Sequence, residues 1–199
     1  MDQLKVAVPA AAAGAGLMYL LNRSKAEFCP KVPEKPVLPT TGTVEFGCFC
    51  GAVKCEFSLP TIFAGHCHCS VCRRISGAGY VSWIAVNKSQ VKILQGEDHL
   101  HTFYSSPTGY RRSCKECMTP IFCDDDTVHP EFNDINFATV YEPDKLDRWP
   151  HDHWFWTDRC CWASVDPNDG IPRAETDPKA SPGKMAGGIR AGKCSQTGK

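Results

Sequence analysis

Thirteen cysteines stand in 199 residues, and seven of them fall into three short runs. The runs are Cys48-Phe49-Cys50-Gly51, Cys67-His68-Cys69-Ser70-Val71-Cys72 and Cys114-Lys115-Glu116-Cys117. Disulfides or metal explain so many thiols, and the redox compartment decides between them. Short spacings alone are weak evidence. The context is stronger, because each run sits at a turn between strand-like segments, where zinc knuckles form. A closed structural zinc takes four thiolates, commonly as two pairs from separate hairpins. Cys48, Cys50, Cys114 and Cys117 meet that need and would staple the start of the domain to its middle. Cys67, Cys69 and Cys72 are left. Three protein ligands plus one open position is how a catalytic zinc is built. Three thiolates on a dication leave a net negative centre, which suits a soft sulfur ligand better than water. The expectation is two zinc ions per chain.

The N-terminus bears on the compartment. Residues 6–21 carry no charge, but the stretch falls short of the about 20 apolar residues of a spanning helix and contains Pro9. It is a poor cleavable signal peptide. Its most apolar part lies at the far end, and Asn22-Arg23-Ser24-Lys25 follows in place of a small-residue cleavage site. A mitochondrial presequence would be richer in arginine. Two readings stand for residues 4–21: a membrane anchor or organelle-targeting segment, and a frayed N-terminal helix. As an anchor, its flanking charges (Arg23 and Lys25 against Lys5 offset by Asp2) leave the body in the cytosol. The expected location is cytoplasmic, where thiols stay reduced and metal is favoured.

Between residues 43 and 57, Val44 and Phe46, then Val53, Cys55 and Phe57, alternate with other residues as in strands. Further strands are expected at 62–66, 80–86, 91–94, 100–104, 110–113, 119–123, 135–140 and 153–157. Residues 70–76 read as one or two helical turns stopped by Gly77, and 144–149 as a short helix or turn. No helical pattern of ten or more residues appears in the domain. The sum predicts a mainly β fold of small antiparallel sheets. Residues 1–39 form the apolar segment and a proline-rich linker, 40–173 the zinc-binding domain, and 174–199 a tail expected to be disordered. Lysine plus arginine and aspartate plus glutamate both number 22. A neutral chain has no global pull toward nucleic acid.

The flanks of the cysteine runs carry a resemblance. They read Cys48-x-Cys50-Gly51-x-Val53, His66-Cys67-His68-Cys69-Ser70-x-Cys72-Arg73-Arg74-x-Ser76-Gly77, Tyr104-x-Ser106, and Arg112-x-Cys114-x-x-Cys117 with Pro120. Val140-x-x-Pro143-Asp144 and the spacing of His153, Arg159 and Trp162 follow. Together these resemble the glutathione-dependent formaldehyde-activating enzyme family, which includes centromere protein V, over residues 42–173. The resemblance implies a β-tent (Mss4-like) fold stapled by zinc, with a structural ion at the four outer cysteines and a catalytic-type ion at Cys67, Cys69 and Cys72. It also implies carbon–sulfur lyase chemistry joining glutathione to formaldehyde. Two positions depart from the family. Met118 stands where many relatives place glycine, and Cys160-Cys161 replaces an apolar–proline pair.

In that chemistry, Arg73 and Arg74 would hold substrate carboxylates, and His68 or His153 would shuttle a proton. Plainer readings stand beside these. Arg73-Arg74 and Arg111-Arg112 read equally as solvated charges, His68 as a residue shaping its loop, and His153 as a packed strand residue. Trp149, Trp154, Trp156 and Trp162 read as core, and Cys55 and Cys123 as buried thiols. The rival function is a non-enzymatic zinc module that binds another protein. A protein ligand at the fourth position of the second site favours that module; an open, pocketed position favours the enzyme.

Overall fold

Alternating buried and exposed residues organise the chain from Thr43 onward. The computed structural model describes residues 38–175. The N-terminal segment, the linker up to residue 37 and the tail beyond residue 175, with the expectations placed on them, lie outside the described residues. Within these bounds the strands are β1 (Thr43–Gly47), β2 (Lys54–Ser58), β3 (Phe63–Cys67), β4 (Val81–Asn87), β5 (Val91–Gln95), β6 (Leu100–Tyr104), β7 (Gly109–Cys114), β8 (Pro120–Asp125), β9 (Phe132–Asn136) and β10 (His153–Trp154). One α-helix, α1 (Ser70–Ser76), follows β3. The strands form a three-stranded sheet, β1-β2-β5, and a seven-stranded sheet, β10-β3-β4-β9-β8-β7-β6. All pairs are antiparallel except β10 with β3. The fold is mainly β, as the alternation predicts.

Period two decides what each sheet face carries. Val44 and Phe46 of β1 and Cys55 and Phe57 of β2 are buried and pack with Ala64, Ile84, Val86, Phe122 and Ile135 of the large sheet. Phe46 joins the two sheets, its ring centroid 5.7 Å from Phe57 and 5.5 Å from Phe122. Burying one such ring contributes about 1.5–3 kcal/mol. The intervening residues Val81, Trp83 and Ala85 of β4 join Phe63, Cys67, Cys72 and Trp154 in a second apolar cluster. The large sheet therefore spends one face on the small sheet and offers the other to this cluster. Gly65 is required there, because a Cβ on it would lie 2.4 Å from the Trp154 ring.

α1 has its expected bounds. Its N-cap is Cys69, whose Sγ accepts from the Cys72 amide at 3.3 Å, and Gly77 ends it at φ 67°. Two strands differ from expectation by more than two residues at an end. β9 lies three residues earlier than the 135–140 run because the Asn136 side chain accepts from the Ala138 amide at 3.1 Å and starts a 3-10 turn over Phe137–Thr139. β10 stops at Trp154 because Phe155 adopts φ 55° and leads into a 3-10 turn. The tryptophans also part company: Trp154 is buried, whereas Trp162 is 70% exposed and no part of the core. Among the described residues, no helix is long and apolar enough to cross a membrane.

Candidate metal centres

Two hairpins deliver the four outer cysteines to one place. Cys48 and Cys50 follow β1, while Cys114 ends β7 and Cys117 lies in the turn to β8. Their four Sγ atoms all lie within 4.8 Å of one another. Cys48 and Cys50 are 3.5 Å apart, and Cys50 and Cys114 3.8 Å. A tetrahedron of metal–sulfur bonds about 2.3 Å long has edges of about 3.8 Å, so the donor set fits one ion. Hydrogen-bond donors reach two of the four sulfurs. The Val53 amide donates to Cys48 Sγ at 3.2 Å. Thr119 Oγ1 lies 3.1 Å from Cys117 Sγ, and that hydrogen bond leads the effects that draw the thiol down to about 5. The Phe49 amide also donates to Thr119 Oγ1 at 3.2 Å, which ties the two knuckles to each other.

The residue after each knuckle's second cysteine is left-handed. Gly51 has φ 77°, which glycine takes freely; Met118 has φ 59°, which an L side chain takes at a cost. Met118 is 65% exposed, so its side chain offers little packing in return. Met118→Gly is expected to stabilise the domain by about 1 kcal/mol, the left-handed cost less part of glycine's added freedom in the unfolded chain. Urea denaturation of the metal-loaded protein measures it. A loss of stability would show that Met118 makes a contact worth more than its backbone conformation costs.

The second group lies at the C-terminal end of β3 and the start of α1. Cys67, Cys69 and Cys72 also hold their sulfurs within 4.8 Å of one another. All seven predicted ligand cysteines are free thiols, and among the other described cysteines Cys161 is disulfide-bonded. Cys123 lies beside Cys72 and does most to hold that thiol well below its ordinary range, followed by Cys67, Cys69 and the charge of Arg111. Cys123 is not one of the three mutually close sulfurs.

A cavity of about 160 Å³ opens over this group. Cys67, Cys69, Cys72 and Cys123 line it with Arg111, and Phe63, Trp83, Trp154 and Phe155 supply apolar wall. Ser105, Ser106, Asp134 and His129 add polar groups. Arg111 and Cys123 are direct cross-strand partners on β7 and β8. The Arg111 guanidinium donates through Nη1 to Cys123 Sγ and, at 3.7 Å, to Cys72 Sγ, while Nε donates to Ser105 Oγ at 3.2 Å.

The structure places the other sequence candidates elsewhere. Strand alternation sends His66 away from Cys67, and His68 follows it. Both rings meet His153, and none of the three histidines lines the cavity. His68 Nε2 lies 2.9 Å from His153 Nδ1, and His153 Nε2 lies 3.1 Å from Asp169 Oδ2. Asp169 Oδ2 faces one ring nitrogen of His153 and His68 faces the other, and the tautomer of each ring sets which of the two histidines donates. Burial, reinforced by the charge of His153, lowers both His66 and His68 to about 4. Arg73 donates from Nε to the His68 carbonyl at 3.0 Å, and Arg74 is exposed; neither lines the cavity. The cavity groups that sequence reasoning missed are Arg111, Cys123 and His129. For Arg111 a signal existed, since neighbours on a strand point to opposite faces and an arginine doublet there cannot sit wholly on the solvent side.

The sequence matches the family described as glutathione-dependent formaldehyde-activating enzyme over residues 43–158, more than half of the chain. A Halomonas elongata protein that provisionally carries that same name is 23% identical over 113 residues, covering 52% of this chain and 72% of its own length. A crystal structure of a Rhodobacter sphaeroides protein superposes with a TM-score of 0.44 at 21% identity, over 65% of this chain and 98% of that one. By the family match, the chain belongs to the glutathione-dependent formaldehyde-activating enzyme family.

Proposed function

We propose that the protein binds two zinc ions and acts at the three-cysteine centre as a carbon–sulfur lyase. It would make or break the S-hydroxymethyl adduct of a glutathione-type thiol and a small aldehyde. The observation that carries this reading is the cavity directly over Cys67, Cys69 and Cys72. A closed structural site has no use for such a space. Its size resembles that of an engineered cavity of about 150 Å³ that takes benzene. That accommodates an aldehyde and the CH₂–SH end of a thiol, not a whole tripeptide. The family name and the name of the Halomonas relative agree with this substrate pair.

Cys67, Cys69 and Cys72 would hold the zinc, which when bound would act as a Lewis acid that lets a substrate thiol ionise near neutral pH. The bond formed joins the thiol sulfur to the aldehyde carbon. The carbonyl π pair moves to oxygen, which takes up a proton. The reverse direction breaks the same bond and returns the proton to sulfur. Phe63, Trp83 and Trp154 exclude water from the reacting atoms. His129, an imidazole on the cavity wall, is the candidate to relay that proton. His68 and His153, backed by Asp169, brace the cysteine loop from its other side. The carboxylates of the thiol stay outside the cavity, where Arg73 and Arg74 of α1 are candidates to pair with them.

One observation favours the non-enzymatic reading. Cys123 lies beside Cys72, and a shift of its sulfur onto the ion would close the fourth position. Zinc content of the full chain, together with formation of the glutathione–formaldehyde adduct followed by NMR, separates the two. Cys69→Ser is the informative variant, because a serine hydroxyl can still cap α1. Two zincs are expected in the wild type with adduct formation above the spontaneous rate; Cys69→Ser should hold one zinc, keep its fold and lose the acceleration. No acceleration in a two-zinc wild type, combined with metal loss in Cys123→Ser, would establish the closed module instead.

A further inference from the structure

A dication held by three thiolates carries a net charge of −1, so by itself the centre repels a fourth anion. The cavity contains the group that offsets this. Arg111 is partly buried, lines the cavity and touches the sulfur of a candidate ligand, Cys72, and of the extra thiol, Cys123. Its guanidinium sits 5.9 Å from the Trp83 ring and is tethered at Nε by Ser105 Oγ. The tether and the β7–β8 register hold a permanent positive charge at the open side of the cysteine group. The other arginine of the doublet is committed elsewhere, since Arg112 Nη2 pairs with Asp124 at 2.9 Å.

We propose that Arg111 is the specificity-determining residue of the three-cysteine centre: it balances the three thiolates and engages Cys123, so that the open position takes an anionic sulfur ligand from the cavity. The inference rests on the proposed function for the identity of that ligand and adds a residue with a defined task. An opposite charge within about 4–6 Å favours an anion by about tenfold to a thousandfold. Lysine at this position keeps the charge and loses the fork that holds Ser105 Oγ through Nε while Nη1 meets both sulfurs.

The test uses the full chain with cobalt(II) in place of zinc, and reads the sulfur-to-cobalt absorption and ligand-field bands as ligand is added. Glutathione is the anionic probe and imidazole the neutral one. Arg111→Gln is expected to weaken glutathione by at least about tenfold and leave imidazole within about threefold, while Arg111→Lys keeps most of the preference. Equal weakening of both ligands, or glutathione binding like wild type, overturns the proposal. Should Arg111→Gln fail to fold, Arg111→Lys decides: a retained preference for glutathione over imidazole supports a charge-based role, and its collapse rejects it. A wild-type cobalt centre that takes imidazole but no glutathione would sink the lyase reading itself, which is a different result from an indifferent Arg111.

Discussion

Cys50→Ala is expected to leave the domain largely unfolded at 37 °C, although the side chain removed is exposed. Exposure makes this variant informative. Alanine in place of a buried cysteine such as Cys114, 0% exposed, removes packing and a ligand together. At Cys50 no cavity opens, so the damage must come through the metal. The four outer cysteines tie the end of β1 in the small sheet to the end of β7 in the large one. Structural zinc in small domains binds with about 10–16 kcal/mol at pH 7, and that free energy is folding free energy. A domain has about 5–15 kcal/mol of net stability. Losing one of four ligands removes enough of the first quantity to exhaust the second. Circular dichroism with zinc content per chain checks it, and an excess of chelator on wild type should reproduce it. A folded Cys50→Ala with its melting temperature unchanged would mean that packing between the sheets, led by Phe46, holds the domain without metal. The contrast with Cys69→Ser is part of the claim: one cysteine group is expected to hold the fold and the other the chemistry.

How much was legible beforehand follows from what each feature depends on. Strand period and turn residues are local, so β6 and α1 have their expected bounds. Local side-chain chemistry set the errors. Asn136 bonds to its own chain two residues on and ends β9 early, and Phe155 turns left-handed within what reads as an aromatic strand. The cysteine groups were legible because each draws on short runs at hairpin ends. The cavity was not, because its polar wall is assembled by register. Arg111 faces Cys123 only once β7 and β8 pair. From the sequence Cys123 reads as one more buried thiol, and nothing local to it betrays Cys72 as its neighbour, 51 positions away in the chain. Closeness in sequence to the cysteines and to the family's closing segment makes His68 and His153 candidates for catalysis. Strand alternation places them on the far side of the loop, against Asp169.

The same register argument yields the second large effect, at Asp124→Ala. Asp124 is 2% exposed, and its carboxylate accepts from Arg112 Nε at 3.2 Å and Nη2 at 2.9 Å and from Asn133 Nδ2 at 2.8 Å. The Arg112 guanidinium also lies 3.9 Å over the Phe122 ring, which places it against the main core. Removing the carboxylate strands a partly buried cation and an amide at once. Breaking a buried pair from one side costs about 3–5 kcal/mol, because the remaining charge has no compensation. Urea unfolding of the metal-loaded protein measures the loss. The double variant Asp124→Ala with Arg112→Met removes both charges and should recover a large part of it, since the destabilisation comes from the unpaired partner more than from the missing bond. A loss below about 1 kcal/mol, the value of an exposed pair, would mean that water reaches Arg112 in the variant and that the pair is structurally dispensable. Both residues lie on the strands that carry Arg111 and Cys123. A shift of β7 against β8 in Asp124→Ala would therefore also alter the preference of the cobalt centre for thiolate, whereas a purely local loss would lower stability and leave that preference intact.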